Sequence, residues 1–431
     1  MNSALRLAAA LWIAGQGVAM ADTNGGDWPE IVPADQAGPP ELAAMAEDFA
    51  YSGLMLRRIA GATLESDPVA AREAVRGLIR AGGALSEAGM AQVRSLFDDA
   101  GWEEFRALAA HNAVPIRRSV AVGEVPAEFG LIEGLVHVPI GDNILVSSVT
   151  DRTIYLLRAD GWERFASRGV ATPDGELRMG SPMGMAYDID RGRIWVASSV
   201  VDQTPEGDNA FSGLIGISPD QTEILWLPAE EGAQPGDVAL APNGDVYVRD
   251  AAQGAVYVRR VGATELERVI EPGRLRSAQG LAVAPDGSAL IVADYSYGLA
   301  RYDFESHALD QVEAFDGAML DGIDGLMRHG GDLVAIRNGV RPHTIFRLGI
   351  DPAGRSVRRI EPLERAHPDW GEPTLGTVFG DTLYYVADAR WPDFGEGGAL
   401  NDGTTPRATH IRALDLSNAS DSQENPADSS R

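Results

Sequence analysis

The chain has 431 residues, 45% of them hydrophobic and 23% charged, which is enough apolar content to bury a large core. Its 36 basic residues stand against 63 acidic ones, and the resulting net charge of −27 opposes binding to nucleic-acid phosphates and to anionic membrane surfaces. All the basic residues are arginines and no cysteine occurs, so Schiff-base and phosphate-loop lysines, thiol nucleophiles, disulfides and thiolate metal sites are excluded. Oxygen and imidazole chemistry remain.

Arg6, the apolar run Leu7 to Ile13 and the small residues Ala19-Met20-Ala21 predict a cleaved leader over residues 1–21 and export to the periplasm or the medium. Residues 22–112 form a lead-in and a helical prefix. Leu42, Met45, Phe49, Leu54 and Leu56 recur at helical spacing, as do Ala71, Val75, Leu78 and Ile79. Ser86 is placed to cap a third helix bearing Met90, Val93 and Leu96, and Gly101 is expected to interrupt it before Trp102 to Ala110. The Met and aromatic residues of the prefix read as packing groups, against each other or the domain that follows.

From Ile116 the helical period gives way to short β-rich runs separated by turns such as Pro242-Asn243-Gly244 and Pro285-Asp286-Gly287. A repeat begins at Glu133, Met183, Gly236, Gln279, Asp324 and Leu375, at intervals of roughly 43 to 53 residues. Six such units predict an all-β fold, a six-bladed β-propeller over residues 113–417, preceded by the small α-helical region. The run Ile116 to Val122 precedes the first unit and is expected to close the ring as the outer strand of blade six. Insertions at 201–211 and 389–406 are long enough to be functional loops, and 418–431 read as a disordered tail.

In a propeller the repeat starts converge on the central axis. Glu133, Gln279 and Asp324 then bring two carboxylates and an amide together, a donor set suited to a hard divalent cation, Ca²⁺ first among them. Such a cation would relieve the carboxylates' mutual repulsion and polarise a carbonyl under attack by water. His137 and His329 read as packing residues and Asp294 as a turn residue. No G-x-S-x-G elbow and no G-x-G-x-x-G before a helix support serine hydrolysis or dinucleotide binding.

With Glu133-Gly134, Gln279-Gly280-Leu281 before Pro285-Asp286-Gly287, and Asp324-Gly325 on the page, residues 116–416 resemble the six-bladed propellers of the gluconolactonase, regucalcin and luciferin-regenerating-enzyme superfamily. The resemblance implies a metal held by Glu133, Gln279 (where the family has Asn) and Asp324, with Asp324 also the base of lactone hydrolysis. Gly236-Asp237 stands where family members often carry Asn-Asp, which leaves coordination there to water or to Asp237. Ile336 to His343, followed by Glu372 to Gly376, looks like bacterial members of the superfamily, and its Arg337, Asn338, Arg341 and His343 are placed to reach substrate, as is Asp237.

The function these readings predict is an exported, metal-dependent hydrolase that opens a lactone or related ester at the propeller mouth, with a small molecule as substrate. The alternative is a non-catalytic propeller that binds a small ligand, or a protein partner through its helical prefix. Gly236 and Gln279 at ligand positions favour that alternative. Carbon–carbon bond formation, as in the related strictosidine-synthase propellers, has no supporting feature.

Overall fold

The structure is a computed structural model that describes residues 26–31, 39–49, 52–141, 143–166, 169–172, 175–207, 210–315 and 317–417. The expected leader and polar tail lie outside them. Six sheets of at least four strands, antiparallel but for the short edge strand Glu313–Ala314, follow one another around an axis. Their inner strands are Ile132–Val138, Ser181–Asp188, Pro235–Leu240, Ala278–Val283, Ile323–His329 and Gly376–Phe379, in blades one to six. The fold is a six-bladed β-propeller with helices before it.

Blade strands are apolar on both faces because each blade is covered by two neighbours. Val246 and Val248 pack towards blade two, while Tyr247 between them packs towards blade four. One cluster of buried side chains fills each of the six spaces between adjacent blades. The two turns read from the sequence are tight because Gly244 (φ 90°) and Gly287 (φ 80°) adopt backbone angles that a side chain disfavours.

Ring closure falls to the strand expected to do it, displaced slightly in register. Val120–Val125 pairs antiparallel with Thr409–Asp415 and becomes the outermost strand of blade six. A buried network locks it. Ser119 Oγ donates to Glu364 Oε1 (2.7 Å) and accepts from Arg412 Nε (2.7 Å), and Arg412 Nη2 also donates to the Ser119 carbonyl (2.9 Å). Tyr385 completes it by donating to Glu364 Oε2 (3.0 Å).

The prefix has helices at Pro39–Asp48, Gly53–Thr63, Pro68–Arg80, Glu87–Val93 and Asp99–Asn112. What the sequence presents as one first segment is split, and Ser52 caps the second piece by accepting from Met55 N. Ser86 caps as expected. Gly101 does not interrupt a helix: it lies within the last one, and its N–H is what the cap Asp98 accepts (2.8 Å). The chain breaks earlier, in the 3₁₀ turn Arg94–Leu96.

Trp28, Met45, Phe49 and Met55 pack into the core of blades three and four, whereas Leu56, Ile59 and Leu78 meet Met319 and Val340 at blade five. Val75, Ile79, Phe97 and Phe105 form a small core of their own. Asp321 anchors the second helix by accepting from Gly53 N (2.9 Å) and Leu54 N (3.1 Å). Among the described residues no helix is long and apolar enough to cross a membrane.

Removing the Ser119 hydroxyl deprives buried Glu364 and Arg412 of a shared partner, so Ser119→Ala should lower unfolding free energy by about 1–3 kcal/mol. Val120→Ala, at an exposed site in the same strand, should have little effect. Urea unfolding of the two variants tests the lock, which is refuted if both behave alike.

Candidate functional site at the propeller hub

Repeat starts face the axis because the inner strands of blades one to five each slip register there. The irregularities lie between Ile132 and Leu135, Pro182 and Met185, Pro235 and Val238, Ala278 and Leu281, and Ile323 and Gly325. A β-bulge re-aims a side chain that regular pleating would send into a blade interface. The glycine following most repeat starts has a separate cause. A Cβ on Gly134 would lie 2.5 Å from the Met183 carbonyl oxygen, and one on Gly280 would lie 2.5 Å from Leu326 N. The inner strands approach so closely that only hydrogen fits.

These bulges place Glu133, Met183, Gly236, Gln279 and Asp324 around one cavity of about 270 Å³. Its wall is completed by Arg249, Tyr295, Asn338 and Glu372, and the two insertions contribute Val201 and Trp391. The insertions touch each other: Gly397 N donates to the Asp202 carbonyl (2.7 Å) and Gln203 Nε2 to the Phe394 carbonyl (3.4 Å). A wider cleft of about 490 Å³ lies beside blade one, but there Asp393 already pairs with Arg390 (3.7 Å) and Arg407 (3.6 Å). The chemistry concentrates at the hub.

Glu133 is buried, and its Oε2 accepts from Trp391 Nε1 (2.6 Å). Burial and then repulsion by Asp324 push its pKa up to about 8. Burial also raises Asp324, but Arg249 and the Asn338 amide, which donates Nδ2 to Asp324 Oδ2 (2.7 Å), both favour its charged form. Asn338 is itself fixed by donating to the Pro373 carbonyl (3.0 Å) and accepting from Tyr295 OH (2.8 Å). Glu372 is raised by burial and by Asp324, with Arg341 opposing.

The other residues expected at the site divide. Asp237 is half-buried beside the hub; its Oδ2 accepts from Leu281 N (3.1 Å), and burial raises its pKa to about 6. Arg337 points away from the cavity: Nη1 donates to the Met319 carbonyl (3.3 Å), and its guanidinium lies over Phe346 at 5.3 Å. It links blade five to the loop that seats the helical prefix. Arg341 is exposed and His343 half-buried, and neither lines the cavity. Burial and Arg341 lower His343 to about 4, so it is neutral at neutral pH.

Sequence reasoning misses Arg249, Tyr295 and Trp391. Arg249 leaves a trace, since it puts a charge directly after Val246-Tyr247-Val248 where the matching strand positions of blades one and four hold Ser147 and Ala293. Trp391 belongs to a loop without periodicity and leaves none.

The ligand set implied by the resemblance can be tested on these contacts. Glu133, Gln279 and Asp324 do share the cavity; Gln279 Nε2 donates to Ser277 Oγ (3.3 Å), and one oxygen of each carboxylate is engaged, Glu133 Oε2 by Trp391 and Asp324 Oδ2 by Asn338. Among the described residues no three Asp, Glu, His or Cys side chains are placed to share an ion. A buried guanidinium, that of Arg249, stands in the same wall. Its positive charge opposes a divalent cation there.

No protein-family model and no curated protein matches the chain. It is similar in structure to a gluconolactonase from Xanthomonas campestris, at 16% identity over 70% of this chain and 100% of that one, with a TM-score of 0.45. A calcium-binding regucalcin from Agrobacterium tumefaciens matches at 16% identity over 69% and 94%, with a TM-score of 0.45. A virginiamycin B lyase from Staphylococcus aureus matches at 13% over 69% and 98%, with a TM-score of 0.42. With TM-scores this low these likenesses add nothing to the strand pairings, which define the propeller by themselves.

Glu133 with a raised pKa keeps a proton in the native state that the unfolded chain releases above its ordinary value near 4.5. The stability it contributes is complete below that value and is lost as pH rises through about 8. Urea unfolding at pH 5 and pH 8 should show wild type losing stability across the interval and Glu133→Gln losing less. Equal slopes would contradict the burial described for Glu133.

Proposed function

We propose that the hub cavity hydrolyses a small lactone or related ester by carboxylate-activated water. The observation that carries this reading is a pair of buried carboxyl groups, Glu133 and Asp324, that line one cavity and repel each other. Burial raises both groups and Arg249 opposes it in both, as do Trp391 at Glu133 and Asn338 at Asp324, but repulsion by Asp324 adds to the rise at Glu133, so the proton the pair retains is assigned to Glu133. Two acids that retain one proton between them supply one general acid and one general base.

In the reaction, water adds to the carbonyl carbon and gives its proton to Asp324. The acyl C–O bond then breaks as Glu133 protonates the departing oxygen, which leaves a hydroxy acid when the substrate is a lactone. The pair is left with its proton on Asp324 and resets by exchange with solvent. Asn338 holds the base in place, and Trp391 orients the acid and helps to exclude water. A cavity of about 270 Å³ suits a monocyclic substrate and is too small for a polymer.

Export supports a role outside the cytoplasm and rests on the N-terminal leader pattern alone. A protein-binding role for the helical prefix has less support, because the apolar faces of its helices are used against blades three to five and against each other.

Mature protein should open members of a panel of sugar, acyl and simple γ-lactones. Asp324→Asn should lower kcat by about 100-fold or more, and Glu133→Gln should also lower it, with KM little changed. Steady-state rates on the panel test this, and a folded Asp324→Asn variant with undiminished rate would overturn the assignment.

A further inference from the structure

Arg249 has an unusual position for an arginine. It is 6% exposed and lines the hub cavity, and its Nε is buried without a hydrogen-bond partner. Among the described residues no ion pair or hydrogen bond holds its guanidinium. A buried cation is costly unless something supplies acceptors, and this one lines a cavity. Its charge acts on Glu133, Asp237 and Asp324, but no hydrogen bond joins it to them: Glu133 Oε2 accepts from Trp391, Asp324 Oδ2 from Asn338 and Asp237 Oδ2 from Leu281 N.

The position is built by a glycine. A Cβ on Gly236 would lie 2.0 Å from Cζ of Arg249 and 2.2 Å from its Nη1. The guanidinium thus fills the space that any side chain on the third repeat start would occupy. Gly236 and Arg249 form a matched pair, one vacating the hub and the other entering it.

We propose that Arg249 is the resident cation of the hub and the group that binds the acyl oxygens of the ligand, so that the site works without a divalent metal. Its planar fork matches the two oxygens of a carboxylate, and in the lactone it meets the carbonyl oxygen that becomes an oxyanion when water adds. The ligand class is a short hydroxycarboxylate and the lactone formed from it. The catalytic part of this inference rests on the hydrolase reading above, whereas the binding part does not.

Calorimetry on the mature protein separates the two. Wild type should bind 4-hydroxybutyrate, the ring-opened form of γ-butyrolactone, and should give no stoichiometric heat with Ca²⁺ after treatment with chelator. Arg249→Met should weaken 4-hydroxybutyrate binding at least tenfold. Gly236→Ala should do the same with Arg249 intact, because the added methyl displaces only the flexible end of a side chain and leaves the backbone in place.

Stoichiometric Ca²⁺ binding by wild type that Asp324→Asn abolishes would overturn the proposal, as would unchanged 4-hydroxybutyrate affinity in folded Arg249→Met and Gly236→Ala. Failure of wild type to bind the probe at all would overturn it too. Binding through Arg249 with no lactone hydrolysed would sink the hydrolase reading and leave this one standing.

Discussion

The separation of the inner strands at the axis is the constraint on which the rest of this structure depends. Six strands meeting around one line approach within van der Waals contact of each other's backbones, and only glycine tolerates that at Gly134, Gly184, Gly280 and Gly325. The same crowding forces the bulges that turn the preceding residue out of the sheet and into the hub. A packing requirement and a functional one are met by adjacent residues, which is why X-Gly pairs mark the repeat.

Once carboxyl groups are delivered to so confined a place, electrostatics decides what they can be. Burial disfavours their charged forms and mutual repulsion disfavours them further, so the hub must protonate some of them or hold a positive charge. This chain does both. Glu133 retains a proton, and Arg249 brings a charge that no solvent ion has to supply. The arginine is admitted only because blade three departs from the repeat at Gly236, with Asp237 in place of the usual glycine.

The architecture was largely legible in the sequence because it rests on periodic features. The turn glycines, the alternation of buried residues and the repeat starts recur blade after blade, and even the closing strand could be assigned by counting strands. The convergence of Glu133, Gln279 and Asp324 followed from the same count. Three things were not legible. The charge at Arg249 breaks the repeat instead of obeying it, Trp391 arrives on an aperiodic loop, and Gln279 lies at the hub with its amide turned to Ser277. Arg337 misled because a buried arginine near a site and one within it look alike in sequence; a neighbouring carboxylate, Asp321, favours its charge from the prefix side. The helical prefix likewise hid its break, since Ser52 can cap a helix only where the backbone before it has already turned.

The pairing of Val120–Val125 with Thr409–Asp415 has a consequence for synthesis. Blades one to five can form as the chain emerges, but the ring stays an open crescent until nearly the last described strand is available. Until then both ends present unpaired edges that invite association with other chains. Folding is therefore committed late, and a ribosome that stalls before residue 409 would release an aggregation-prone fragment in place of a smaller working protein.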